Sequence, residues 1–225
     1  MKMLSRILLC LFVFGVLNGN GVFAAEMSDE AILVDQATTI VKGFATDPDL
    51  DWFRKKVKEA KALLVIPQNL KGAFLVGGSG GSGVMLARDS KTGDWSYPAF
   101  YTLGAVSIGL QVGAEASEVI LMIMTDRGME KMLASNFKLG ADVTLAAGPV
   151  GGGATAKTAD VLSYSRSKGA FVGMSVDGAV VKTRDKWNEK YYGKPVSPTD
   201  IIIRKSVSNP QADNLRTSVA KISGS

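Results

Sequence analysis

The chain has 225 residues, with 26 lysine and arginine residues against 21 aspartate and glutamate residues, and it contains no histidine and a single cysteine, Cys10. This composition excludes an internal disulfide framework and zinc sites built on several cysteine or histidine ligands. The length allows one domain with a sizeable core, and the modest positive charge permits contact with anionic membranes without requiring a nucleic-acid partner.

The first 24 residues are predicted to be a signal peptide. Two basic residues precede the apolar run Ile7 to Leu17, which is too short to span a bilayer comfortably, and Val22-Phe23-Ala24 has small residues at the −3 and −1 positions of a cleavage site. Cleavage before Ala25 predicts a periplasmic or secreted protein with a formal charge of +3, from 24 basic and 21 acidic residues. A retained anchor is the alternative. Cys10 lies inside the apolar run and is interpreted as part of the signal peptide.

The start of the mature chain predicts two helices. A serine and two acidic residues at Ser28-Asp29-Glu30 form a helix start, and apolar residues follow at helical spacing. Asp47-Pro48 begins a second helix, which is predicted to run to about Ala62. A short apolar run, Leu63 to Ile66, is then expected to end at Pro67.

From Lys71 onward, short β-type runs alternate with glycine-rich turns. The runs predict strands at Ala73–Val76, Val84–Arg88, Trp95–Tyr101, Val106–Val112, Val119–Met124, Ala141–Ala147, Ala159–Ser165, Phe171–Ser175 and Val180–Thr183. Further helices are predicted at Thr125 to Ser135, Trp187 to Tyr192, Pro198 to Lys205 and Pro210 to Lys221. The pattern indicates one α+β domain, residues 25–225, with N-terminal helices and short C-terminal helices packed on a largely antiparallel, glycine-rich, curled or barrel-like sheet.

Glycine-rich motifs in the middle of the chain match two chemical signatures. Gly78 to Gly83 fits the dinucleotide pattern GxGxxG, but it leads into a predicted strand rather than a helix, so a hairpin turn is the preferred interpretation. Gly77 to Gly81 fits the hydrolase pattern GxSxG, yet the chain has no histidine to act as the base. A hydrolase using Ser79 or Ser82 stays open as a weak alternative, with Lys71, Lys157 or Lys168 as the base. We predict no catalytic residue, no metal ligand and no cofactor.

Two acidic residues, Glu115 and Glu118, interrupt a long uncharged stretch. In a strand, residues three apart face opposite sides, so a paired acid–base role is not expected. We expect these carboxylates to end the strand or to pair with a lysine or arginine.

The second predicted helix is amphipathic and basic. An apolar arc that includes Trp52 and Phe53 lies opposite a basic arc, although Lys56 intrudes on the apolar side. The basic arc holds Arg54, Lys55, Lys58 and Lys61. Two interpretations remain open: the helix contacts a membrane surface, or its apolar arc packs on the sheet and its lysines face water. Four cations contribute about 4 kcal/mol at an anionic surface, which gives millimolar binding at best.

Several longer motifs occur in order along the mature chain. They are Val65-Ile66-Pro67, Lys71-Gly72-Ala73-Phe74, Gly81-Ser82-Gly83-Val84-Met85-Leu86-Ala87-Arg88, Trp95-Ser96-Tyr97-Pro98, Gln111-Val112-Gly113-Ala114-Glu115, Ala147-Gly148-Pro149-Val150-Gly151, Ser163-Tyr164-Ser165-Arg166-Ser167-Lys168-Gly169 and Tyr191-Tyr192-Gly193. Together they resemble the SYLF domain in its exported bacterial form, and the resemblance covers about Ser28 to Arg204.

The resemblance implies a lipid-binding protein for which no catalytic residues are established. Eukaryotic members bind acidic phosphoinositides and some bind actin filaments, but actin is not an expected partner of an exported chain. We therefore expect anionic phospholipid or a membrane surface as the partner. The basic helix is the main expected contact, and Arg166 and Lys168, beside a predicted hairpin, are weaker ones. Family members often carry a basic residue where this chain has Gly152. The alternative is a structural or protein-interaction module of the cell envelope, with an unknown protein partner.

Overall fold

The computed structural model describes residues 27–74, 76–108, 113–148, 158–167, 170–171 and 176–224. The predicted signal peptide lies outside these residues. The chain begins with helix α1 (Asp29–Thr46), where the Ser28 hydroxyl accepts a hydrogen bond from the amide of Ala31 at 3.3 Å. The predicted N-terminal cap is therefore confirmed.

The second predicted helix is present in a shorter form. A 3₁₀ turn (Pro48–Leu50) leads into α2 (Asp51–Lys56), and a second 3₁₀ turn (Val57–Glu59) ends it. The Asp47 carboxylate caps the first turn by accepting from the amide of Asp49 at 3.0 Å. The chain then enters a strand at Ala62, so the apolar residues after Glu59 belong to the sheet.

Nine strands form one sheet within the described residues. They are β1 (Ala62–Phe74), β2 (Val76–Ala87), β3 (Ala99–Ile108), β4 (Gly113–Ile123), β5 (Asn136–Lys138), β6 (Leu145–Ala147), β7 (Val161–Ser167), β8 (Ala170–Phe171) and β9 (Val180–Thr183). Their spatial order is β5-β9-β3-β2-β1-β4-β7-β6, with β8 paired to β7. All of these pairs are antiparallel except β6 with β7.

The two ends of this strand order are close in sequence. Strands β5 and β6 lie at opposite edges, yet only Leu139 to Thr144 separate them, and Leu139 forms a parallel bridge with Val143. The sheet must curl to bring these edges together. The predicted α+β class with a curled, largely antiparallel sheet is therefore confirmed.

Both faces of the curled sheet are buried. On the outer face, Leu63, Val65, Ile120 and Met122 pack with α1 and α2 and with the C-terminal helix. Alternate residues of the same strands point into the curl, where they form a second core. Its members include Ala62, Leu64, Ile66, Met85, Leu121, Ile123, Met132, Phe137, Val181, Ile201 and Ile202. This alternation follows from the two-residue period of a strand.

The sequence expectation was wrong at Pro67 and at the glycine motif. Strand β1 continues past Pro67, because its pairing slips by one residue there, between Val65 and Leu70 against β2 and between Ile66 and Asn69 against β4. A proline is tolerated at such a bulge, where the ladder does not need its missing N–H. Gly78 to Gly83 is not a hairpin turn but the middle of β2, paired with β1 and β3.

The remaining helices lie close to their predicted places. Helix α3 (Asp126–Leu133) is capped by Thr125, and α4 (Asp185–Tyr192) ends at Gly193 with a φ of 70°. A π-helical turn (Thr199–Ile203) and a 3₁₀ turn (Pro210–Ala212) precede α5 (Asp213–Ser223). Helix α5 packs beside α1 and next to the end of α2. None of the described helices is long and apolar enough to cross a membrane.

Candidate functional site

The apolar side of α2 is buried in the outer core. Leu50, Phe53 and Val57 are each at most 1% exposed. The Phe53 ring lies 5.3 Å from that of Phe44 and 5.0 Å from that of Tyr164, measured between ring centroids, and both contacts are edge-on. The sequence leaves two interpretations of this helix open. The structure supports the one in which the apolar arc packs on the sheet. This arc is therefore not available for insertion into a bilayer.

Two of the four predicted helix contacts are engaged within the protein. Arg54 forms an ion pair with Asp51 and donates to the backbone carbonyl of Asp47. The Lys61 ammonium lies 2.7 Å from a carboxylate oxygen of Asp126, at the start of α3. A ligand at either cation would have to compete with these carboxylates.

The other two predicted contacts, Lys55 and Lys58, are exposed. Among the described residues, neither ammonium lies within ion-pair distance of a carboxylate, whereas Lys56 beside them pairs with Glu59 at 2.8 Å. Residues three apart on a helical surface are neighbours. Lys55 and Lys58 thus form one cationic patch at the end of α2.

A third cation of this surface was not predicted. The Arg88 guanidinium donates to the backbone carbonyl of Lys58 at 3.1 Å, and within the described chain it has no carboxylate partner. Thirty residues separate the two positions, and the β1–β2 hairpin brings them together. No local pattern in the sequence could have shown this. We call Lys55, Lys58 and Arg88 the basic rim.

Arg166, a predicted weaker contact, is 17% exposed and holds three elements together. Its guanidinium lies 3.3 Å from Asp47, at the end of α1, and 2.6 Å from Glu118 on β4. It also covers the Phe44 ring at 4.9 Å. The expectation that Glu118 pairs with a basic residue is confirmed. That Arg166 touches lipid stays a prediction, and these contacts favour a structural role. Lys168 lies outside the described residues.

We expect Arg166→Met to lower the free energy of unfolding by about 2 kcal/mol, because it keeps the apolar stem but leaves two partly buried carboxylates unpaired. Urea denaturation monitored by tryptophan fluorescence measures this. Arg204→Met is the matched control, because it also breaks an ion pair, between Arg204 and Asp200. The Arg204 side chain is 68% exposed, so this substitution should lower the free energy of unfolding by less than about 1 kcal/mol. Unchanged stability with lost vesicle binding would instead make Arg166 a lipid contact.

A serine hydrolase needs its nucleophile and its base close together and joined by a hydrogen bond, and the structure provides only the first of these. The β1–β2 register places Lys71 directly opposite Ser79. However, no hydrogen bond between these two side chains is present, although both are described, and a nucleophile needs that contact with its base. Ser82 contacts the Arg184 guanidinium instead. On β4, the register places Glu115 opposite Lys71, and its side chain is outside the described set.

Asp160 is a buried carboxylate that the sequence did not single out. It is 6% exposed. It accepts from the Thr125 hydroxyl at 2.5 Å and from the amide and hydroxyl of Thr144, both at 2.9 Å. Burial alone would raise its pKa, but these hydrogen bonds and the Arg127 charge outweigh burial and hold the pKa below its usual value. Asp160 thus fastens the start of α3 to the strand β6 edge and has a structural role.

No three metal-binding side chains come together in the part of the chain that the structure describes.

The chain belongs to the Ysc84 family, whose description is "Las17-binding protein actin regulator" and whose model matches residues 104–222, just over half of the chain. This confirms the resemblance to the SYLF domain, and the description is that of a regulator rather than an enzyme. Human SH3 domain-containing YSC84-like protein 1 is 31% identical over 165 residues, which are 71% of this chain and 48% of that protein. Two proteins of Saccharomyces cerevisiae, Protein YSC84 and LAS seventeen-binding protein 3, are 33% and 34% identical over 167 residues, 71% of this chain. The chain spans about half the length of the human relative and about a third of the yeast ones (35% and 36%).

Proposed function

We propose that the protein is a non-enzymatic lipid-binding protein of the cell envelope, which adheres to anionic phospholipid surfaces through the basic rim. The observation that carries the proposal is a contrast among the cations on and beside α2: some have a carboxylate partner and others do not. Arg54, Lys56 and Lys61 have carboxylate partners, whereas Lys55, Lys58 and Arg88 have none among the described residues. Cations that have no carboxylate partner in the described part of the protein are the ones that can pair with lipid phosphates at little cost.

The geometry restricts how this adhesion works. The apolar side of α2 is buried, so the attraction is electrostatic. Three cations near an anionic surface contribute about 3 kcal/mol, which corresponds to a dissociation constant weaker than millimolar for one protein molecule. Adhesion is therefore expected to be weak, reversible and strongly dependent on salt.

Vesicle flotation tests the proposal. The protein should float with vesicles of phosphatidylglycerol and phosphatidylcholine at low salt, and it should stay behind at high salt or with phosphatidylcholine alone. The double variant Lys55→Glu/Lys58→Glu should abolish flotation. Lys42→Glu/Lys182→Glu is the control, because it changes the net charge equally at two exposed positions on α1 and β9. Equal flotation of the two double variants would overturn the role of the basic rim.

The proposal includes export. Its support is the basic, apolar and small-residue pattern of residues 1–24, which fits a signal peptide. We expect the mature protein to begin at Ala25 in the periplasm or outside the cell, and N-terminal sequencing of protein from the envelope fraction tests this. An intact Met1 would contradict cleavage.

A protein partner is the second candidate. The family description and the name of LAS seventeen-binding protein 3 concern binding to another protein, and they favour an interaction module. This candidate predicts that the protein floats with neither type of vesicle at low salt.

A further inference from the structure

A second cationic feature lies away from α2, in a cavity of about 510 Å³. It is bounded by the segment before β3, the end of α4, the loop after the π-helical turn, and α5. Trp95, Tyr97 and Tyr192 line it together with three cations, Lys194, Lys205 and Arg216. Its volume falls in the range of small-molecule sites, and its lining combines aromatic rings with a few charged groups.

The aromatic walls are fixed in place, with their hydroxyls already engaged. The Tyr97 hydroxyl bonds to the Asp213 carboxylate at 3.0 Å, and the Tyr192 hydroxyl donates to the carbonyl of Pro98 at 2.7 Å. The Arg216 guanidinium lies 4.2 Å from the Tyr97 ring centroid and donates to the carbonyl of Trp95 at 3.0 Å. A ligand would therefore meet the ring surfaces, which suit a flat or aliphatic group.

Three cations line the cavity, and two of them are paired with carboxylates that lie just outside the lining. Asp94 is the one acidic residue among the described lining residues, against three cations. Lys205 pairs with Asp89 and Arg216 lies 3.5 Å from Asp213, outside the lining. Lys194 differs from both, because its ammonium donates to the neutral carbonyl of Ser206 at 3.3 Å and has no carboxylate partner in the described ranges. Lys194 is thus the cation with the most to gain from an anion.

The backbone at the cavity rim is unusual. Lys205 has a φ of 51°, and no other described non-glycine residue has a positive φ. This left-handed conformation is unfavourable for a lysine, and such strain tends to occur at binding sites. The strained residue, Lys205, lines the same cavity, and its backbone conformation is independent of the cavity's charge and volume.

We propose that this cavity binds a small anion that carries a phosphate or carboxylate group on a ring or acyl body. Lys194 and Arg216 hold the anionic group, and the body packs on Tyr97 and Tyr192. The inference goes beyond adhesion to a membrane surface, since the site recognises one molecule. The same chemistry is offered by a soluble phosphate ester and by the headgroup region of a single lipid.

Calorimetric titration of the purified protein with three probes tests the proposal: inorganic phosphate, phenyl phosphate, and dihexanoyl-phosphatidylglycerol kept below its micelle concentration. Phenyl phosphate should bind about fivefold more tightly than inorganic phosphate, because its ring adds contact with the tyrosines. Lys194→Gln should weaken binding about tenfold, as expected for the loss of a charged hydrogen-bond donor. Lys42→Gln, an exposed position on α1, should bind as the wild type does.

The outcomes separate the two sources and the two sites. Binding of the short-chain lipid alone, weakened by Lys194→Gln, supports the site with a lipid as its ligand. No binding of any probe, or equal weakening by Lys42→Gln, overturns it. Vesicle flotation of Lys194→Gln should remain normal, so failure of this site and failure of the basic rim are distinguishable.

Discussion

Gly83→Ala should lower the free energy of unfolding by about 3 kcal/mol, at the upper end of the cost of overpacking. A Cβ at this position would lie 2.7 Å from the carbonyl oxygen of Val65 and 2.7 Å from Cγ1 of Ile66. Both atoms belong to β1, which lies between β2 and β4 and cannot move away without breaking a ladder. The urea midpoint, followed by tryptophan fluorescence, measures the loss.

Gly104→Ala is the matched control for this substitution. Gly104 lies on the neighbouring strand β3, and an added Cβ there would meet no atom within 4 Å. Alanine should therefore be neutral or stabilise the protein by up to about 1 kcal/mol, because it reduces the freedom of the unfolded chain. If the two variants unfold at the same urea concentration, close packing is not the reason for glycine at position 83.

Much of the fold is predictable because its signals are local. The cap of α1 needs only Ser28 and the next few residues, and the end of α4 needs only Gly193 in the left-handed region. Strand β9 occupies Val180–Thr183, the range predicted from its short run of β-type residues. In each case the residues that determine the structure are neighbours in the sequence.

The glycine motif shows where local reasoning fails. Glycine is common in turns, so the sequence predicts a hairpin turn at Gly78 to Gly83. At position 83, glycine instead allows β2 to lie close to the backbone of β1, just before the bulge at Pro67. Neither the bulge nor the approach can be read from the motif, because both depend on how two strands pair.

Prediction of the candidate site from the sequence fails for the same reason. The cationic and apolar sides of α2 follow from its sequence, but which cations remain unpaired does not. Lys61 is neutralised by Asp126, which is 65 residues away, and Arg166 by Asp47, which is 119 residues away. Arg88 joins the basic rim through a long-range contact with Lys58. Side-chain charge is visible in the sequence, whereas its compensation is a property of the fold.

Phe53→Ala should lower the free energy of unfolding by about 3–5 kcal/mol, because it leaves a cavity where a fully buried ring packs between Phe44 and Tyr164. Under conditions where the variant is folded, its flotation with anionic vesicles should match the wild type. The reason is that the proposed adhesion uses the opposite side of the helix, and Phe53 is 1% exposed and does not reach the surface.

Lys55→Ala is the complement of Phe53→Ala, and the two should show opposite patterns. Removing this exposed side chain should change stability by less than about 0.5 kcal/mol. It should weaken vesicle binding about fivefold, the equivalent of one cation near an anionic surface. Stability and adhesion are then carried by opposite sides of one short helix, the aromatic side by packing and the cationic side by charge. If Phe53→Ala kept full stability but lost flotation, the aromatic side would be the membrane contact, and the helix would have to turn its core residues outward to bind.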